Sequence, residues 1–235
     1  MSEGILRPLQ VPERPIRLRE AAYESIKNAI LEGRMGATQP LFEDSIAALL
    51  GISRTPVREA LALLEHEGLI APRGGRGLWV AVLSKAEFLD LRDANEVVEP
   101  YLARVAAARA TAAHIEAMSR GVQDKERAAN RGELTSFLAQ GRRLHRLIGE
   151  AAGNPVLTRF VVGNEERADM YLLASVESFD FDAWWPSVHE HRAILEAIVR
   201  REPEEAARLI TYHSQSVRQR LQRVFTEGEQ EEVKS

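Results

Sequence analysis

Residues 52–61 read Ile52-Ser53-Arg54-Thr55-Pro56-Val57-Arg58-Glu59-Ala60-Leu61, and this stretch decides the fold of the first third of the chain. Ser53 is a natural N-cap. Pro56 falls in a first helical turn, where its missing N–H is not needed. Val57, Ala60, Leu61 and Leu64 recur at helical spacing and make one apolar face, which Gly68 ends. Arg54 and Arg58 stand four residues apart on the other face. Upstream, residues 43–50 form a short helix stopped by Gly51. A longer helix over 18–31 carries Leu18, Ala22, Ile26, Ala29 and Ile30 at helical spacing and closes at Gly33 and Gly36. Downstream, Leu69-Ile70, the glycine-rich run 72–77 and the apolar run 78–82 read as a β-hairpin. Helix, short helix, tight turn, helix and hairpin spell a winged helix-turn-helix over residues 17–82. Residues 1–16, with Pro8, Pro12 and Pro15, read as a flexible arm.

Beyond Val82 every periodic stretch is helical. Ser84 and Glu87 form a capping box, and helices follow at about 85–109, 111–131, 133–152, 156–175, 184–200 and 203–226. The fold class is mainly α: the N-terminal winged domain with its small hairpin, then an all-helical bundle over 84–227 and a disordered tail at 228–235. Bulk composition narrows the function. The chain has 235 residues and no cysteine, which excludes disulfides, thiolate metal sites and a cysteine nucleophile. Neither a signal peptide nor an apolar run of membrane-spanning length is present, so a cytoplasmic protein is expected. The net charge is −4, and residues 1–82 carry ten basic and ten acidic side chains, so DNA binding has to rest on where the arginines sit.

Those positions suit DNA. Arg54, Thr55 and Arg58 lie at the start of the third helix, the end that a recognition helix presents to base edges and that favours phosphate. Arginine reads guanine through a bidentate major-groove contact. Arg73 and Arg76 stand among glycines in the hairpin turn, where backbone can approach a phosphate or the minor groove closely. In the helical part, three of six histidines interrupt apolar stripes on different helices. His145 lies with Leu138 and Ile148, His191 with Val188 and Leu195, and His213 with Ile210 and Val217. Three imidazoles directed inward from facing helices are how bundles build metal sites. A divalent metal is expected, with zinc, nickel or manganese the ions to consider.

The run at 52–61, followed by Leu64-Glu-x-Glu-Gly-Leu-Ile70 and Gly77-x-x-Val80, closely resembles the GntR family of bacterial regulators. The resemblance implies DNA contacts from Arg54, Thr55 and Arg58 and a wing around Gly75 to Gly77. Several relatives carry an arginine near the start of the second helix, where this chain has Glu43-Asp44. The run around His145, the stretch Ala151-Ala-Gly-Asn154, His191-x-x-Ile-Leu-x-Ala-Ile198 and His213 resemble the helical effector (FCD-like) domain of the FadR-type subfamily. That resemblance implies a divalent metal on the three histidines and a carboxylate four residues before the first, a position held here by Gly141. Asp93, Glu96 and Glu99 are possible substitutes. It also implies an effector site at Asn95, where relatives typically have arginine, and at Glu99; an interhelical hydrogen bond is the alternative for Asn95. Arg142 flanks His145 and could reach a carboxylate.

The function expected is a DNA-binding transcriptional regulator that responds to a small molecule, plausibly an organic acid. By resemblance it is a repressor. Two recognition helices reading half-sites imply a homodimer on a palindromic double-stranded operator. Two alternatives stand beside it: a metal-dependent enzyme in the helical domain, and an architectural DNA-binding protein without effector.

Overall fold

The apolar stripes of the first 82 residues need one another to leave water, and they meet in one small core. In this computed structural model, residues 13–38, 40–75, 77–175 and 180–232 are described, with side chains over 18–38, 40–75, 77–174 and 180–221. Helix α1 (Glu13–Leu31), α2 (Glu43–Leu50) and α3 (Arg54–His66) precede a small sheet of β1 (Pro40–Leu41), β2 (Ile70–Pro72) and β3 (Leu78–Val80). The sheet order is β1-β3-β2, all antiparallel, with Ile70 opposite Val80 and Leu41 opposite Leu78. Ala22, Ile26 and Ile30 of α1, Ile46 of α2, and Val57, Ala60, Leu61 and Leu64 of α3 are buried with Leu69, Ile70 and Val80. Gly51 stops α2 in the left-handed region, at φ 66°, and donates its N–H back to Ala47 and Ala48.

Several local expectations need correcting. Helix α1 begins at Glu13, inside the arm expected over 1–16, because Pro15 falls in the first turn, where its ring fits. Residues 1–12 lie outside the described residues. The hairpin strand ends at Val80 rather than at residue 82, and β1, too short to show a period, adds a third strand. Ser53 holds the extended N-cap conformation, but its side chain makes no capping hydrogen bond.

The helical unit contains α4 (Lys85–Arg109), α5 (Ala112–Arg131), α6 (Leu134–Ala152), α7 (Pro155–Ser175), α8 (Phe181–Trp184), α9 (Pro186–Val199) and α10 (Pro203–Glu232). Contacts divide the chain into units 1–81 and 82–235. Ser84 and Glu87 form the expected capping box. The single helix expected over 184–200 is instead α8 and α9, divided at Trp185-Pro186. Helix α10 continues to Glu232, past the tail expected from 228, because the glutamates and glutamine there are good helix formers. Residues 233–235 are outside the described set.

Two apolar clusters fill the bundle. One contains Leu102, Met118, Leu144, Ile148, Val161, Ile194, Ile198 and Ile210. The other contains Phe88, Phe137, Leu172, Trp184, Val188, Val217 and Leu221. Helices α4, α5, α6, α7, α9 and α10 each contribute to both. In this stretch each carries buried polar residues: Arg92, Asn95 and Glu99; Lys125; His145; Glu165 and Asp169; Glu190 and His191; His213 and Ser214. The bundle thus has a polar layer at mid-height, closed off by packed side chains above and below.

Candidate functional site

In the N-terminal unit, Arg54, Thr55 and Arg58 are exposed at the start of α3. Asp44, in the first turn of α2, takes the Arg54 guanidinium through both carboxylate oxygens, bonding Nε and one terminal nitrogen. That pairing raises the Arg54 pKa further above its usual value. Arg58 has no hydrogen bond or ion pair among the described residues. In the hairpin turn Arg73 donates to the Ala37 carbonyl at 3.4 Å and lies 5.7 Å from the Trp79 ring centroid. Gly75 and Gly77 are exposed at φ 70° and 80°, a backbone that other residues rarely adopt. Arg76 lies outside the described residues.

In the helical unit, His145, His191 and His213 come together, each buried, each offering one ring nitrogen within 4.8 Å of the others. Nε2 of His191 lies 3.1 Å from Nε2 of His213. With metal–nitrogen bonds of about 2.0–2.1 Å, two imidazoles on one ion sit roughly 2.9–3.4 Å apart, so this pair already has a ligand spacing. Behind His213, Glu190 accepts from Nδ1 at 2.7 Å. The same carboxylate is held by both terminal nitrogens of Arg220, at 2.9 and 2.8 Å, and by the Ser216 hydroxyl at 2.7 Å. Behind His145, Glu99 Oε1 lies 2.5 Å from Nδ1, and both atoms are buried. A carboxylate behind a ligating imidazole is the usual support of a metal site. On these observations the triad fits a divalent metal.

Electrostatics follow from burial. Burial pushes His191 well below the usual histidine value, helped by the Lys125 ammonium. It takes His213 down to about 4 against the pull of Glu190. At His145 burial also pulls down, but the Glu99 carboxylate outweighs it and the pKa rises. Burial works to raise Glu190, yet His213 and Arg220 hold it far below the carboxylate range.

A cavity of about 50 Å³ lies beside the triad, lined in part by Arg92, Lys125, Gly141, Arg142, Glu165 and Asp169. Arg92 pairs with Glu165, and Arg142 with Asp169. Of the three expected effector residues only Arg142 lines this space. Asn95 makes an interhelical bridge: its amide donates to Glu165 Oε1 at 2.9 Å and its carbonyl accepts from Asn164 at 2.9 Å. Glu99 faces His145 instead. Asp93 and Glu96 pair with Arg218 on the surface.

The sequence reading missed Lys125, Glu165, Asp169, Glu190 and Arg220. Lys125 had the same signal as the histidines, since Met118, Gly121, Val122, Ala128 and Ala129 place it on the buried face of α5. Its ammonium donates to Ser187 Oγ at 2.7 Å, lies 3.2 Å from His191 Nδ1 and sits 4.5 Å from the Phe137 ring centroid. Burial lowers it to about 7. A Cβ on Gly141 would lie 3.4 Å from this nitrogen and 3.6 Å from His191 Cε1, so Lys125 fills the ground beside Gly141.

The model of the bacterial regulatory proteins of the gntR family matches residues 18–80, and that of the FCD domain matches 90–216. The Uxu operon transcriptional regulator of Escherichia coli is 29% identical over 196 residues, covering 76% of each chain. A protein of Paenarthrobacter nicotinovorans named as a probable D-xylose utilization operon transcriptional repressor is 29% identical, covering 78% of this chain and 80% of its own. The solved structure of E. coli McbR/YncC superposes with a TM-score of 0.76 at 17% identity, over 88% of this chain and 98% of that one, a likeness of fold. These matches replace the metal-dependent-enzyme and architectural alternatives with transcriptional regulation. The chain belongs to the GntR family of bacterial regulatory proteins, a transcriptional regulator with a DNA-binding helix-turn-helix domain and an FCD effector domain.

Proposed function

We propose that this regulator is a repressor that binds a palindromic operator as a homodimer and releases it when a divalent metal and a small carboxylate metabolite occupy the histidine triad. Residues 17–82 form the DNA-binding head and 84–227 the sensing and dimerisation domain, acting in the cytoplasm. Arg54, Thr55 and Arg58 read the major groove, and the turn from Arg73 through Gly75, Arg76 and Gly77 follows the backbone beside it. The observation that carries the sensing part is the convergence of three buried imidazoles from three helices.

His145, His191 and His213 would hold the metal, which when bound supplies a Lewis-acid centre with open positions for carboxylate oxygens. Glu190 keeps the proton of His213 on Nδ1, so that Nε2 faces inward as a ligand. Charge favours an anionic companion. Arg92 is already paired with Glu165, Arg142 with Asp169 and Arg220 with Glu190. A divalent ion therefore adds two positive charges in a place of low dielectric, and a carboxylate offsets them. Arg142, at the cavity wall, is placed to turn from Asp169 to such an anion. The name of the P. nicotinovorans relative, a probable operon repressor, supports repression. For the dimer, α4 leaves Val97 and Tyr101 exposed one turn apart, a surface suited to a second copy.

Elemental analysis of the purified protein and of the His145/His191/His213→Ala variant, each after dialysis against zinc, nickel or manganese, tests the site. Near-stoichiometric metal in the parent and none in the variant is expected. Equal metal in both proteins contradicts it.

A further inference from the structure

The cavity beside the triad has two unlike ends, and helix periodicity shows it. On α4 its lining passes from Phe88 to Arg92, on α6 from Phe137 through Gly141 to His145, and on α10 from Leu221 through Val217 to His213. Each step is four residues, about 6 Å along a helix. All three helices therefore present carbon at one level and polar groups one or two turns away. The apolar lining belongs entirely to the cluster of Phe88, Phe137 and Leu172, and none of it to the cluster of Leu102 and Met118. The space continues from the histidines toward one apolar cluster only.

That asymmetry selects the body of a ligand whose carboxylate lies at the polar end. The polar side chains of the lining are engaged with one another: Arg92 with Glu165, Arg142 with Asp169, and Lys125 with Ser187. Freeing Arg142 serves one carboxylate. A hydroxyl or second charge farther along would lose water against phenylalanine, leucine and valine side chains, which offer no hydrogen bond. A methylene in the same place gains by leaving water. Size sets the other limit. The cavity of about 50 Å³ has room for about four water-sized groups.

We propose that the effector is a short aliphatic monocarboxylate without hydroxyls, its carboxylate at the histidine triad and its carbon tail against Phe88, Phe137, Leu172 and Val217. The proposal rests on the metal-and-carboxylate reading above and adds the chemical class of the ligand. Polyhydroxylated sugar acids and dicarboxylates are excluded by the same apolar end. A tail seated there touches α4, α6, α7 and α10 at once.

The test is calorimetric titration of the full chain, saturated with zinc chloride, with the sodium salts of acetate, propionate, butyrate, 4-hydroxybutyrate and gluconate. The dissociation constant should fall by about 4-fold with each methylene from acetate to butyrate. The buried, unpaired hydroxyl of 4-hydroxybutyrate should weaken binding by at least about 5-fold relative to butyrate. Gluconate should bind more weakly than butyrate. Leu172→Asn places an amide at the apolar end and should reduce the gain from acetate to butyrate, while the acid series in the parent needs no variant to fold. Equal affinity for acetate, propionate and butyrate overturns the proposal and leaves carboxylate binding at the triad standing. Tighter binding of 4-hydroxybutyrate or gluconate than of butyrate overturns it as well, as does an undiminished gain in Leu172→Asn. Binding of none of these acids removes the carboxylate reading and the proposal together.

Discussion

The Arg54 guanidinium at the start of α3 is held by Asp44, so the operator contact proposed for it exchanges a carboxylate for a base edge or phosphate. Arg54→Ala should weaken operator binding by about 10- to 100-fold, since a bidentate arginine contact is worth about 1–3 kcal/mol. Asp44→Asn should strengthen it, by freeing the arginine and removing a negative charge from the DNA-facing side. Fluorescence anisotropy with a selected operator duplex measures both, and a loss of affinity in Asp44→Asn would show that the carboxylate helps orient Arg54. At the triad, His191 and His213 are neutral in the folded protein while the unfolded chain protonates both near pH 6.5. Stability is therefore complete above that pH and falls as pH drops toward about 4, where His213 itself titrates. The raised pKa of His145 works the other way. Thermal melts should show a lower Tm at pH 5 than at pH 7, with a smaller drop in His191→Gln/His213→Gln. The three histidines were legible because a polar side chain inside an apolar stripe stands out. Their partners were not, since a carboxylate or arginine on a helix looks solvated until its neighbouring helix is placed, as with Glu190 and Arg220.

Among the elements, helices with punctuated ends could be read from sequence: Gly51 ends α2, and Ser84 begins α4. What escaped depends on partners rather than on period, as with the two-residue β1, which exists through its pairing with β3. The fit of α6 against α7 was equally invisible. Gly149 lies so near Thr158 that a Cβ there would come within 2.4 Å of Oγ1, while that hydroxyl is committed to the Asn154 carbonyl at 2.7 Å. Gly149→Ala should destabilise the helical domain by about 1–3 kcal/mol despite alanine's better helix propensity. Urea unfolding measures this, and an unchanged or raised midpoint would mean that α7 gives way freely. Because His145 lies one turn before Gly149 on α6, the same variant should also alter metal retention.

At the scale of the whole molecule, the coupling proposed between the DNA-binding unit and the helical unit is thermodynamic. A ligand that changes operator affinity must have its own affinity changed by operator by the same factor. Light scattering should find twice the 26.3 kDa chain mass in solution, and a monomer at the concentrations that bind DNA would contradict two-fold operator recognition. The most direct measurement of the central claim is the operator dissociation constant of the full chain with saturating zinc chloride or with chelator, for the parent and for the His145/His191/His213→Ala variant. The account predicts a zinc-dependent change of at least about 5-fold in the parent, the lower end of ordinary allosteric coupling, and none in the variant. The same dissociation constant in all four samples would contradict it.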